Sequence, residues 1–358
     1  MDFVTAATTS RRVERQDVTE VSPVFWVQDV QDLMIRGREF YAVWNEEKGL
    51  WSKREIEVAG LVDKELAAET NRLDGAPSHT KWMRCYDTGS WRRWRQYVTS
   101  LPDSWQPLDS KLVYRSDEPR RQDMASTRLP YDLEEGDPES FRTLLERLYE
   151  QEERDKLLWA IGSVVAGDSS SIQKFVVLYG SSGTGKSTVL NIIEQLFPGY
   201  TSIFDADALT SRSDAFASAM FRDSPLVAIH HDADLSRIDR NQLLNSIVSH
   251  EEIIINEKHK TQYTTASRSM LFIGTNKPVR ITDRQSGLIR RLIDVAPSGE
   301  RFEPDEYQLL MSRIPFELGR IARYCRDAYT SMGRNYYGRY TPIRMMTETN
   351  PVYNFVEE

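Results

Sequence analysis

Along the chain, the clearest hydrophobic pattern is a series of short apolar runs, each closed by small or polar residues. Phe175–Tyr179 is rich in β-branched and aromatic side chains, the pattern of a buried strand. Beyond a glycine-rich gap the period changes, and Val189, Leu190, Ile192, Ile193 and Leu196 recur at helical spacing. Residues 225–234 form an apolar strand ending in acids, and 269–276 another ending in an amide. Between them, 253–263 reads as an apolar strand, a short basic turn and a polar return. Residues 286–295 place two arginines just before a last strand.

Upstream the pattern is looser. Residues 40–44, a turn over 45–49, then Leu50 and Trp51 predict a hairpin. Residues 53–69 have helical spacing, with Ile56, Leu61, Val62 and Leu66 on one face. Residues 101–137 hold many of the prolines and predict an extended connector with a short strand near 112–114. Residues 139–166 predict helix in two pieces. The expected layout is a flexible arm (1–20), a small tryptophan-rich α+β domain (21–106), a connector (107–137), an α/β nucleotide-binding domain (138–300) and a helical C-terminal segment (301–358).

Composition changes this picture little. The 358 residues suffice for two or three domains, with 40% hydrophobic and 28% charged residues, as in ordinary globular proteins. No apolar run reaches the length of a membrane span, and the N-terminal arginines are not followed by a signal-peptide core. Cys85 and Cys325 lack metal-ligand spacing, which excludes a zinc ribbon and a disulfide scaffold and suits a reducing cytoplasm. The net charge of −8 is unusual for a nucleic-acid protein. Whole-chain charge does not exclude a ring that is acidic outside and basic along its channel.

The chemistry concentrates after residue 179. Gly180, Ser181, Ser182, Gly183, Thr184, Gly185, Lys186, Ser187 and Thr188 match the phosphate-binding loop, G-x-x-x-x-G-K-[ST], in its required setting of strand, loop and helix. Glycines let successive amides point at a phosphate, and the following helix adds its positive end. Lys186 would reach the β- and γ-phosphates of ATP, and the Ser187 hydroxyl would hold Mg²⁺. Asp232 and Asp234 supply carboxylates for the metal shell and for the attacking water. Asn276 can contact the γ-phosphate or its water. Lys258, His259 and Lys260 at the tip of the predicted hairpin suit a phosphate backbone, though a solvated turn has the same composition. Arg290 and Arg291 suit a neighbour's γ-phosphate, since a planar guanidinium stabilises spread negative charge. Arginines interleave with Trp82, Tyr86, Trp91, Trp94 and Tyr97. Such a segment can stack bases, but core rings beside a basic face are the favoured interpretation.

Phosphate loop, acidic strand, Lys-His-Lys hairpin, Gly-Thr-Asn and Gly-Leu-Ile-Arg-Arg, in this order, resemble a superfamily 3 helicase. Gly-Leu-Ile-Arg-Arg-Leu-Ile resembles the helicase module of phage and poxvirus primase-helicases. The motifs cover about residues 175–296. The resemblance implies a modified AAA+ core, a ring of six subunits, ATP and Mg²⁺ between subunits with an arginine from the neighbour, and 3′-to-5′ movement on single-stranded or forked DNA. It also implies replication proteins as partners and, for a phage protein, the cytoplasm of a bacterial host. Many members have two adjacent acids at the end of the acidic strand. Here the order is His231-Asp232-Ala233-Asp234, so Asp232 takes the Mg²⁺-linked place and Asp234 is the candidate base by spacing. The alternatives are a DNA-stimulated ATPase that does not unwind, such as a loader or packaging motor, and a structural origin-binding ring. A small-molecule kinase would leave the basic hairpin and the arginine pair unused.

Overall fold

The computed structural model describes residues 2–27, 30–35, 41–73, 77–80, 89, 92–94, 96–97, 108–210, 216–236, 238, 240–258, 262–279 and 287–349. They divide into two compact units, one of 1–108 with 118–127, the other of 109–117 with 128–358.

In the first unit, β1 (Val4–Val13) and β2 (Gln16–Phe25) form a long antiparallel hairpin that pairs Val4 with Phe25 and Val13 with Gln16. The flexible arm expected over 1–20 is therefore ordered here as strand, and β2 runs across the expected boundary at residue 21. Polar residues dominate this stretch because most of the hairpin is solvated. Phe3 and Val4 at its open end and Val21 midway along it enter the core, with Ala6 and Phe25 packed against them. A second small sheet holds β3 (Leu33–Ile35), β4 (Tyr41–Asn45) and β5 (Leu50–Ser52) in antiparallel order. Helix α1 (Glu55–Arg72) buries Val58, Leu61, Val62 and Leu66. Ile56, expected on that face, is 51% exposed, because Val58 and Ala59 carry the packing instead. A short strand, β6 (Ser78–Thr80), pairs in parallel with β2. Trp94 is buried and its ring stacks on Phe25 at 5.2 Å, a core role. Trp82, Tyr86 and Trp91 lie outside the described residues.

The second unit carries the sheet that positions the site. Its first two helices are α2 (Glu139–Leu148) and α3 (Gln151–Val165). The strand expected near 112–114 is irregular chain, held by the Val113 amide donating to the Tyr200 hydroxyl at 3.0 Å. The chain then runs through β7 (Phe175–Tyr179), α4 (Lys186–Leu196), β8 (Thr201–Ile203), α5 (Ala206–Thr210), β9 (Val227–Ala233) and α6 (Gln242–Val248). The hairpin of β10 (Glu252–Ile255) and β11 (Tyr263–Ala266) follows, then β12 (Met270–Thr275) and β13 (Leu292–Val295). The helices α7 (Pro304–Arg313), α8 (Leu318–Met332) and α9 (Ile343–Thr349) come last.

Strands β7, β8, β9, β12 and β13 form one sheet in the order β13-β7-β12-β9-β8, with every pair parallel. A parallel sheet needs cover on both faces, which explains why these strands read as unbroken apolar runs. Buried Leu190 and Ile193 of α4, Leu157 and Ile161 of α3 and Ile321 of α8 belong to one core with Val176, Leu178 and Phe272. Ala228, Leu271 and Ile273 join a second core with Leu244 and Ile247 of α6. Helices α3 and α8 touch closely at Gly162, where a Cβ would lie 2.1 Å from the Cys325 carbonyl oxygen. Among the described residues no helix is long and apolar enough to cross a membrane.

Candidate nucleotide site

The glycine-rich loop joins β7 to α4 at the carboxyl edge of the parallel sheet. Gly183 and Gly185 have φ of +76° and +95°, a region that L side chains rarely adopt. At Gly185 a Cβ would also come within 2.7 Å of Leu148 Cδ1, so this turn needs glycine twice over. The curl leaves Lys186 as the first residue of α4. Its ammonium donates to the Gly180 carbonyl at 2.6 Å, the Ser181 carbonyl at 2.8 Å and Asn276 Oδ1 at 2.8 Å. Burial pushes the Lys186 pKa down, and the nearby Asp232 carboxylate opposes that shift.

Strand order brings the next two groups together. Strand β12 lies between β7 and β9, with Thr275 level with Tyr179 on one side and Ala233 on the other. Asn276, one residue beyond β12, therefore stands between Lys186 and the end of β9. Its Nδ2 donates to Asp232 Oδ1 at 2.9 Å, completing a chain from lysine through amide to carboxylate. Lys186, Ser187, Asp232 and Asn276 all face a cavity of about 430 Å³. Ser187 and Asp232, both lining it, carry oxygens of the kind that suits a hard divalent cation.

The same cavity has walls that no motif announced. Leu148 ends α2, while Arg301, Phe302 and Tyr307 come from the start of the C-terminal segment. The Arg147 guanidinium lies over the Phe302 ring at 4.1 Å, and the Tyr307 hydroxyl is 3.1 Å from Thr188 Oγ1. An apolar and aromatic wall beside a glycine-rich loop can take a flat base. His231 is also on the wall and shares a hydrogen bond of 3.0 Å with Glu194 of α4. His230 is turned away, its Nδ1 accepting from the Ala206 amide at 2.9 Å. Residues 301–307 carry no motif that marks this wall, and local spacing does not say which strand edge they meet.

Asp234, expected as the base, does not line this cavity. It is ion-paired with Lys277 and accepts from the Ser236 amide at 3.2 Å. The Lys277 ammonium and the Ser236 hydroxyl and amide hold its carboxyl down at about 2. A carboxylate so stabilised is a weak proton acceptor. Asp232→Asn is accordingly expected to reduce Mg²⁺-dependent ATP hydrolysis at least about a hundredfold, the scale of losing one group from a preorganised charge site. Asp234→Asn is expected to stay within about tenfold of the parent. Parallel phosphate-release assays check both, and a larger loss for Asp234→Asn would return the base to that residue.

The two arginines behave differently. They sit in a single 3₁₀ turn before β13, at the amino edge of the sheet, opposite the glycine-rich loop. Arg291 is buried, donating through Nε and Nη2 to Ser249 Oγ at 3.0 and 2.6 Å and through Nη1 to the Gly287 carbonyl at 2.9 Å. Arg290 is exposed. At the tip after β10, Lys258 is exposed, while His259 and Lys260 lie outside the described residues.

The second unit is thus a mixed α/β body whose five-stranded parallel sheet, flanked by helices, is compatible with a phosphate-loop core. Comparison with known proteins agrees at the level of fold. A family model described as a family of unknown function (DUF5906) matches residues 178–291. No curated protein matches the chain. The A-form apo structure of the NrS-1 C-terminal region is similar at 15% identity with a TM-score of 0.53, covering 92% of this chain and 73% of that one. An apo structure of the NrS-1 C-terminal region spanning its residues 305–718 aligns at 13% identity with a TM-score of 0.48, over 91% of this chain and 79% of that one.

Proposed function

We propose that the chain is an ATP-driven DNA helicase of the superfamily 3 type, with a modified AAA+ core, working as a ring in phage or viral DNA replication. The observation that carries this is the chain from Lys186 through Asn276 to Asp232 across three neighbouring strand ends. Lysine at the phosphates, an amide beside the γ-phosphate and a carboxylate at the metal are the parts that phosphoryl transfer to water requires. The amide is hydrogen-bonded to both others, so a change at the γ-phosphate would be felt at the end of β12. ATP would sit on the glycine-rich loop with its base toward Phe302 and Tyr307. Mg²⁺, held by Ser187 and Asp232, would neutralise charge on the β- and γ-phosphate oxygens.

The position of Arg290 supports the proposed ring. Five residues of β7 separate the two edges of the sheet, about 16 Å at 3.3 Å per residue, beyond the reach of a side chain to its own loop. A neighbouring subunit can bring Arg290 to that loop, and six copies would close around a strand of DNA. In such a ring the turn with Lys258, His259 and Lys260 would point into the channel and hold backbone phosphates.

A strand-displacement assay on forked DNA with either tail polarity, with and without ATP, tests the proposal. Unwinding that needs ATP and one tail polarity is expected. ATP hydrolysis stimulated by DNA but without displacement would identify a loader or packaging motor. Binding without turnover would identify a structural ring. In the same assay, Lys258→Ala with His259→Ala is expected to keep basal hydrolysis and to lose unwinding. Binding of a fluorescent oligonucleotide should then show a salt slope shallower by about 0.7 for each backbone phosphate that the turn no longer neutralises. An unchanged slope would leave this turn without a role in DNA binding.

A further inference from the structure

A second cavity, of about 210 Å³, opens at the amino edge of the parallel sheet, away from the glycine-rich loop. Lys174, Arg290, Arg291 and Arg334 line it, with Gln173 and Asn335 beside them. Lys174 precedes β7 and Arg290 precedes β13, and these strands are neighbours in register, with Leu292 level with Phe175. The parallel pairing therefore brings the two cations together. Arg291 is occupied by Ser249 and Gly287. Arg334 is paired with Asp168 at 2.6 Å. Lys174 differs from both. Only 6% of it is exposed, and its ammonium meets just two carbonyl oxygens, of Arg290 at 2.5 Å and of Tyr340 at 3.5 Å. Among the described residues no carboxylate pairs with it.

A buried ammonium without a counter-ion is costly, and buried charges are ordinarily paired. Burial lowers its pKa to about 8, the response of a cation in want of an anion. Its third donor remains for a ligand. Arg290 is exposed at the mouth, and among the described residues its side chain has no acid or hydrogen-bond partner. It adds a planar fork suited to phosphate oxygens.

We propose that this cavity is a phosphate-binding site in which Lys174 and Arg290 are the ligands. Two sources share that chemistry: polyphosphate free in solution, and the terminal phosphate of a nucleotide held by a second copy of this chain. Only the second source rests on the proposed function.

The test has two arms. In the first, inorganic triphosphate is titrated calorimetrically into the Lys186→Ala chain, whose glycine-rich loop has lost its main cation. Binding by the cavity is expected to weaken about tenfold or more when Arg290→Gln is added, the scale of a lost charge-assisted hydrogen bond. Lys174→Gln should act in the same direction. Arg290 is exposed, so its variant keeps the test valid if the Lys174 variant fails to fold. In the second arm, the otherwise unaltered chain is loaded with a slowly hydrolysed ATP analogue, and its association is followed by sedimentation. Association lost in Arg290→Gln and in Lys174→Gln would point to the second copy as source. Dependence on the two residues in either arm supports the site and names its source. Triphosphate binding and association that both ignore them would overturn it. Analogue affinity, measured separately for the Lys186→Ala chain, reports on the glycine-rich loop and so keeps the two proposals apart.

Discussion

Lys186→Ala is expected to lower ATP turnover by at least about 10²- to 10³-fold, the scale of removing one preorganised donor from a developing charge. The lysine begins α4, and its ammonium already converges on the Gly180 and Ser181 carbonyls and on Asn276 Oδ1. Those three oxygens hold it at the mouth of the loop, where a γ-phosphate would exchange for some of them without moving the side chain far. Alanine removes the charge at the phosphates. It also releases Asn276 from one of its two partners, so Asp232 loses its orientation as well. The loss should therefore appear in kcat and in nucleotide affinity together. Steady-state phosphate release with a parallel nucleotide titration measures both, and a thermal melt confirms that the variant is folded. A variant with near-normal kcat would remove this loop from the chemistry.

Arg290→Ala is expected to cost about 10³- to 10⁵-fold in turnover, the range for an arginine finger supplied in trans. The equivalent loss from Arg291→Ala would have a different origin. Arg291 is buried against Ser249 and the Gly287 carbonyl, so its removal should lower the melting temperature, whereas removal of the exposed Arg290 should not. The decisive experiment mixes Arg290→Ala protein with Lys186→Ala protein. Neither has a complete site alone. Mixed rings would contain interfaces with one intact lysine and one intact arginine, and turnover should rise above both parents at intermediate ratios. No rise at any ratio would mean that Arg290 does not serve a neighbour's nucleotide.

Several elements can be read directly from residue order. The strand at Phe175–Tyr179, the turn after it and the helix from Lys186 follow from an apolar run, from glycines at positive φ and from a change of period, all within some twenty residues. The later apolar runs of the sheet and hairpin are legible for the same reason. The N-terminal hairpin is not, because a solvated ribbon carries no apolar alternation and its polar residues resemble those of an unstructured arm. Ile56 falls off the packed face because Val58 and Ala59, within the next turn, carry the helical stripe of α1.

By itself, the sequence determined a glycine-rich loop in a strand-to-helix setting and the types of group available to work beside it. Local spacing is enough for that, since the backbone of such a loop depends on its own glycines. Only the tertiary structure decided which groups share the site. Asn276 reaches both Lys186 and Asp232 because β12 is inserted between β7 and β9, and strand order leaves no mark on local periodicity. Asp234, two residues from Asp232, is drawn off by Lys277. Phe302 and Tyr307 reach the cavity from more than a hundred residues along the chain. Arg290 and Arg291 are adjacent and chemically identical. Packing against Ser249 buries one and leaves the other to face outward, and packing is a property of the folded whole.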